Sequence, residues 1–90
     1  MDRVILITGA TGRIGRVFVK YFLSQGDEVI ALARTKKNLL SLLRDNEKFK
    51  KKIHLIELDL MENKFCDNLI NFLNEKNLYP TSLVNNARSL

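Results

Sequence analysis

Between Thr8 and Gly15 the chain reads TGATGRIG, and Gly9, Gly12 and Gly15 recur at every third position. Glycines so spaced, where a strand hands over to a helix, suit the phosphates of a dinucleotide. One permits a tight turn, one lets the backbone approach the pyrophosphate, and one lets the helix pack against the strand. The first N–H groups of the helix lack internal partners and carry the positive end of its dipole, so they favour an anion. Thr8 before the glycines, and Thr11, Arg13 and Ile14 between them, belong to the same candidate site. No Lys-Ser or Lys-Thr pair follows the glycines, which excludes a P-loop. The competing reading is a turn that serves the fold alone.

A second chemical signal lies at Arg34. Sites that take the unphosphorylated ribose place an acidic residue ~20 positions past the glycines, at the end of the second strand. Here that place holds Ala33, followed by Arg34. A carboxylate would repel a 2′-phosphate, whereas a guanidinium grips it with charge-assisted hydrogen bonds. Arg13 can approach the same group from the glycine turn. The expected cofactor is therefore NADP(H), with NAD(H) second. The alternative for Arg34 is a solvated residue at a strand exit.

These residues need elements to hold them. Val4–Ile7, Val29–Ala33, Ile53–Leu58 and Ser82–Asn85 are short apolar runs, as in parallel strands buried on both faces. Between the first two, Ile14, Val17, Phe18, Tyr21 and Phe22 follow helical spacing and predict a core-facing stripe, with Arg13, Arg16, Lys20 and Ser24 opposite. Gln25-Gly26 ends that helix, Gly26 being suited to a left-handed cap. Thr35 is placed to cap a second helix carrying Leu39, Leu40, Leu42 and Leu43. Asp59-Leu60 ends the third strand. A third helix runs to about Lys76 with Phe65, Leu69, Phe72 and Leu73 on one face, and Leu78-Tyr79-Pro80 breaks it.

The alternation β-α-β-α-β-α-β predicts an α/β doubly wound parallel sheet of four strands, in the order 3-2-1-4, with three helices on its two faces. The ligand crevice then lies at the carboxyl ends of the strands, where the winding reverses. Thr8–Gly15, Arg34, Asp59-Leu60 and Asn85–Ala87 all fall at such ends, so four separate stretches converge.

Composition limits the alternatives. Ninety residues make one small domain. No apolar run approaches the ~20 residues of a membrane span, and Val4–Ile7 is too short for a signal peptide. The single cysteine, Cys66, allows no intrachain disulfide and fits a reducing compartment, so a cytoplasmic location is expected. The net charge of +5 gathers in Lys36-Lys37 and in Lys48, Lys50, Lys51 and Lys52. With one aromatic among them, Phe49, these read as a solvated helix end and not as a nucleic-acid surface. His54 has no neighbour at ligand spacing and is read as structural; no metal site is expected.

TGATGRIG at Thr8–Gly15, Asp59-Leu60 after the third strand and Asn85-Asn86-Ala87 together resemble the cofactor half of the short-chain dehydrogenase/reductase family, over the whole chain. That resemblance implies a Rossmann fold in which the glycine turn holds the pyrophosphate. It implies that Asp59 accepts from the adenine amino group, that Leu60 flanks the ring, and that Asn85–Ala87 steadies the central strand beside the adenosine ribose. The glycine spacing matches the extended and atypical branches, whereas Asn-Asn-Ala is typical of the standard branch, which has glycine where Arg88 stands. Branch and substrate stay open.

The family's catalytic serine and Tyr-x-x-x-Lys pair belong to the half that follows. Neither Tyr21 nor Tyr79 has lysine four residues on, and Ser89 comes too early, so no catalytic residue is expected in this chain. The expectation is the NADP(H)-binding part of a longer oxidoreductase that reduces a carbonyl or oxidises an alcohol. A non-catalytic dinucleotide-binding module and a sugar-nucleotide epimerase or dehydratase are the alternatives. A half-sheet ending at strand four leaves an apolar edge. An isolated chain of this length should then be marginal, or self-associate through that edge.

Overall fold

The four apolar runs pair as parallel strands in the order β3-β2-β1-β4, in a computed structural model that describes residues 3–87. Along the chain come β1 (Val4–Thr8), α1 (Arg13–Ser24), β2 (Glu28–Ala33), α2 (Lys36–Asp45), a 3-10 turn (Glu47–Phe49), β3 (Ile53–Glu57), α3 (Phe65–Lys76) and β4 (Ser82–Asn85). Leu6 lies beside Ile30 on one side and Leu83 on the other, and Ile30 beside His54, so the strands are in matched register. The expected α/β architecture and strand order are both present.

Alternate residues of the strands feed two cores. Ile5, Ile7, Val29 and Ala31 face α1 and α2, with Val19, Leu23, Leu39 and Leu42 closing over them. Leu6, Ile30, Leu32 and Ile56 face α3, which contributes Phe65, Leu69, Phe72 and Leu73. Helices thus cover both faces, and the change of face after β3 creates the crevice at the strand ends.

One core face differs from the sequence expectation. On α1 the buried positions are Gly15, Val19 and Leu23, with Phe18 and Phe22 packed beside them. Ile14, Val17 and Tyr21 are exposed. Both stripes have helical spacing and differ by one residue. Gly15 decides between them, because a Cβ there would fall on the Gly9 carbonyl oxygen and lie 2.9 Å from the Ala10 Cα. A helix that must pass this close to the turn puts its glycine inward.

The helix ends also carry corrections. Gly26 adopts φ +87°, as its place after the helix requires. Thr35 does stand at the N-cap of α2, yet its side chain makes no capping bond. The Lys36 N–H instead donates to Glu57 Oε2 at 2.9 Å, a cap supplied from the end of β3. Asn77, left-handed at φ 54°, stops α3 ahead of the Leu78-Tyr79-Pro80 break. Leu40 is exposed, so α2 buries only Leu39 and Leu42 fully.

His54 bonds to Glu28 Oε2 at 3.1 Å, a diagonal pair across β3 and β2, which fits its structural reading. At the start of β1, Arg3 forks onto Asp27 at 2.8 and 3.3 Å. The hydrogen bond to Asp27, and then its charge, strengthen the guanidinium's hold on its proton. None of the described helices is long and apolar enough to cross a membrane. Among the described residues β4 pairs only with β1, and Leu83 is exposed.

Candidate functional site

The carboxyl ends of the strands surround a cleft of about 850 Å³. Of the residues singled out from the sequence, Gly9, Thr11, Gly12, Arg13, Ile14, Arg34, Asp59, Leu60, Asn85, Asn86 and Ala87 line it. Thr8 and Gly15 lie behind its wall. Leu32, Ala33, Leu58 and Met61 complete the lining without having been singled out. Each is a strand-end or turn residue with no chemical signature of its own.

Thr8 closes β1, and its hydroxyl is fully used. It donates to Asn85 Oδ1 at 2.9 Å and accepts the N–H groups of Asn86 and Ala87 at 3.0 and 3.1 Å. One donor and two lone pairs are all a hydroxyl has. Asn86 Nδ2 in turn donates to the Gly9 carbonyl at 3.3 Å. The Asn-Asn-Ala segment therefore braces the glycine turn from the neighbouring strand.

The three glycines have separable reasons. Gly9 sits at φ +63°, and a Cβ there would lie 3.0 Å from the backbone of Ala87. Gly15 is required by the packing of α1 on the turn. Gly12 is different: at φ −73° and ψ 170° it has extended backbone that any residue adopts, and a Cβ would meet only the Gly9 oxygen at an ordinary 3.5 Å. Nothing in the described chain needs glycine at position 12. The open space beside it belongs to the cleft.

Gly12 is also the N-cap of α1. No side chain caps that end, and no acidic residue occupies its first turn. The leading N–H groups of α1 therefore stand free at the cleft, an arrangement that binds phosphate oxygens. Arg34, at the end of β2, and Arg13, in the first turn of α1, line the same cleft; both are exposed, and neither side chain makes a hydrogen bond or ion pair with a described residue. Asp59 Oδ1 accepts the Met61 N–H at 2.9 Å, a local turn that fixes the carboxyl at the lip.

Two participants escaped the sequence reading. Arg16, placed there on the solvent side, bonds both the glycine turn and α2. Glu57 brings a carboxylate to the N-terminus of α2, close in the chain to Arg34. Neither has a motif, since one reaches main-chain carbonyls and the other acts across strands. Among the described residues no group of three or more His, Cys, Asp or Glu is gathered as for a metal ion.

Comparison with known proteins extends this geometry. A family profile described as short chain dehydrogenase matches residues 3–89. Chlorophyll(ide) b reductase NOL of Oryza sativa subsp. japonica is 34% identical over 87 residues, covering 94% of this chain and 25% of that protein. Sulfoacetaldehyde reductase 2 of Chromohalobacter salexigens is 31% identical, covering 97% and 34%. The solved structure of 4-hydroxyisoleucine dehydrogenase complexed with NADH superposes with a TM-score of 0.81 at 31% identity, over 99% of this chain and 35% of that one. The chain thus spans about a quarter to a third of the curated relatives it matches.

Proposed function

The chain belongs to the short-chain dehydrogenase family, and from that premise we propose that it forms the NADP(H)-binding part of an oxidoreductase acting on a carbonyl or alcohol. Members of the family bind a nicotinamide dinucleotide. The residues here fit one: an uncapped helix end, a glycine with free space beside it, and an arginine at the end of β2, all lining one cleft. When bound, the dinucleotide supplies the hydride donor or acceptor.

The chain's own residues have positional tasks. The leading N–H groups of α1 bind the pyrophosphate. Asp59, with one carboxylate oxygen committed to Met61, offers the other to the adenine amino group, and Leu60 covers the ring. Asn85 and Asn86 hold the turn in shape through Thr8 and Gly9. The groups that move the substrate's proton come from elsewhere in the protein, since Tyr21 and Tyr79 lack a lysine four residues on. The open edge of β4, with Leu83 bare, is where a further strand joins.

Arg34 carries the preference for NADP(H), because it reaches the cleft exposed and unpaired among the described residues, with Ala33 where a ribose-binding acid would stand. NAD(H) is the second reading, favoured by the Glu57 carboxylate at α2 and by the NADH-bound relative. Titration of NADPH and NADH against the full-length protein and Arg34→Asp tests both. NADPH binding should weaken by roughly 1.5–3 kcal/mol, the worth of a hydrogen bond to a charged group, with NADH nearly unchanged. Equal wild-type affinities would overturn the preference, and no binding of either would overturn the site.

A further inference from the structure

Arg16 stands in the first turn of α1 with its side chain 30% exposed, and its guanidinium serves three acceptors. Nε donates to the Thr11 carbonyl at 2.9 Å, Nη2 to the Asn38 carbonyl at 3.4 Å, and Nη1 to Asp45 Oδ2 at 3.2 Å. Thr11 belongs to the glycine turn, while Asn38 and Asp45 lie near the two ends of α2. Only a planar fork with several donors can meet acceptors in this arrangement; an ammonium cannot reproduce it.

The contact with Thr11 has a particular consequence. The peptide that joins Thr11 to Gly12 is held at its oxygen by Arg16 and at its N–H by the Gly9 carbonyl, 3.1 Å away. The Arg16 N–H then holds the Gly12 carbonyl at 2.9 Å. Of the two peptide units flanking the one glycine that the protein itself does not require, the first is therefore fixed by the Arg16 side chain, and the second by a main-chain bond that any residue at position 16 but proline would make. The other two side-chain bonds of Arg16 tie this turn to α2, whose N-terminus follows Arg34 by two residues.

We propose that Arg16 is a positioning residue for the dinucleotide, fixing the spacing between the glycine turn and α2 so that the pyrophosphate and the ribose 2′-phosphate are engaged together. This rests on the NADP(H) reading above. A ligand that spans two subsites gains from their fixed separation, because the second contact forms at high effective concentration, whereas a ligand using one subsite gains nothing from it. Loss of the spacer should therefore penalise the spanning ligand selectively.

The experiment compares NADPH, ADP and 2′-AMP binding by calorimetry or NMR titration in the full-length protein, wild type against Arg16→Met. Both fragments carry the adenosine; ADP adds the pyrophosphate without the 2′-phosphate, and 2′-AMP the 2′-phosphate without the pyrophosphate. The NADPH Kd should rise at least tenfold while the two fragments change less than twofold. If Arg16→Met does not fold, Arg16→Lys, which keeps the charge without the fork, reads the same contrast. A parallel loss for all three ligands would show a merely structural residue and overturn the proposal, as would unchanged NADPH binding. Wild-type protein that fails to bind NADPH would overturn the dinucleotide reading, and this inference with it. Wild-type binding matched by the variant overturns this inference alone.

Discussion

The glycine-turn wall of the cleft is cross-linked by the Thr8 hydroxyl, the Asn86 amide and the Arg16 guanidinium, whereas the wall at the end of β2 presents Arg34 with no side-chain partner among the described residues. The first wall spends its polar groups on the protein's own backbone. What it offers a ligand is main-chain N–H groups in fixed positions, which any pyrophosphate satisfies. The second wall offers a free side chain, and free side chains are where a ligand's distinguishing atoms are read. On the proposed reading, generic binding and specificity therefore sit on different walls, one rigid and one adaptable.

The contrast is broken most severely from behind the rigid wall. Gly15→Val places a branched side chain where the Gly9 carbonyl and the Ala10 backbone already stand. Neither neighbour can yield without moving the turn. Overpacking costs roughly 1–3 kcal/mol, and more where backbone stands in the way, so thermal or denaturant unfolding should show a large drop in stability, with ligand binding lost as a consequence. A variant that melts like wild type would mean that α1 can lift away from the turn at little cost.

Gly12→Val separates ligand geometry from folding on the same wall. Its extended backbone accepts valine, and the nearest protein atom is at ordinary contact distance. Stability should therefore change little, by well under the Gly15→Val loss. Dinucleotide affinity should nevertheless fall by ~1.4 kcal/mol or more, a factor of ten, because the new side chain fills the space that the pyrophosphate requires. Tight binding by a folded Gly12→Val protein would place the phosphates elsewhere. Paired with Gly15→Val, the variant distinguishes a glycine kept for the fold from one kept for the ligand.

Sequence alone carried the strands, their order and most of the cleft lining, because apolar runs and glycine spacing are local signals. It misjudged the inward face of α1 because counting apolar side chains gives no weight to Gly15, the residue whose missing side chain sets the packing. Arg16 was assigned to the solvent side for a related reason. Its acceptors at Thr11 and Asn38 are carbonyl oxygens, present at every residue and so invisible in a motif. Thr35 had the residue type of a cap, but Glu57 performs the task from a strand 21 residues away in the chain. Local chemistry was legible; chemistry delivered across elements was not.

The smallest expected effect falls on the adaptable wall, at Glu57. Its neighbour across the sheet is Ala33, the residue before Arg34, and its carboxylate accepts the first N–H of α2. An anion at a helix N-terminus contributes roughly 0.3–1 kcal/mol when exposed, and this one stands where a 2′-phosphate on Arg34 would feel its repulsion. Glu57→Gln keeps an oxygen for the Lys36 N–H and removes the charge. NADPH affinity should rise by up to about fivefold, because an exposed charge–charge contact is worth roughly 0.2–1 kcal/mol, while NADH affinity stays constant. Because the pair is exposed, the gain should shrink as salt is raised. A rise shared equally by both cofactors would make Glu57 a cap and nothing more, leaving discrimination to Arg34 alone. A rise confined to NADPH would show that two opposed charges, one from each neighbouring strand end, set the preference of this wall.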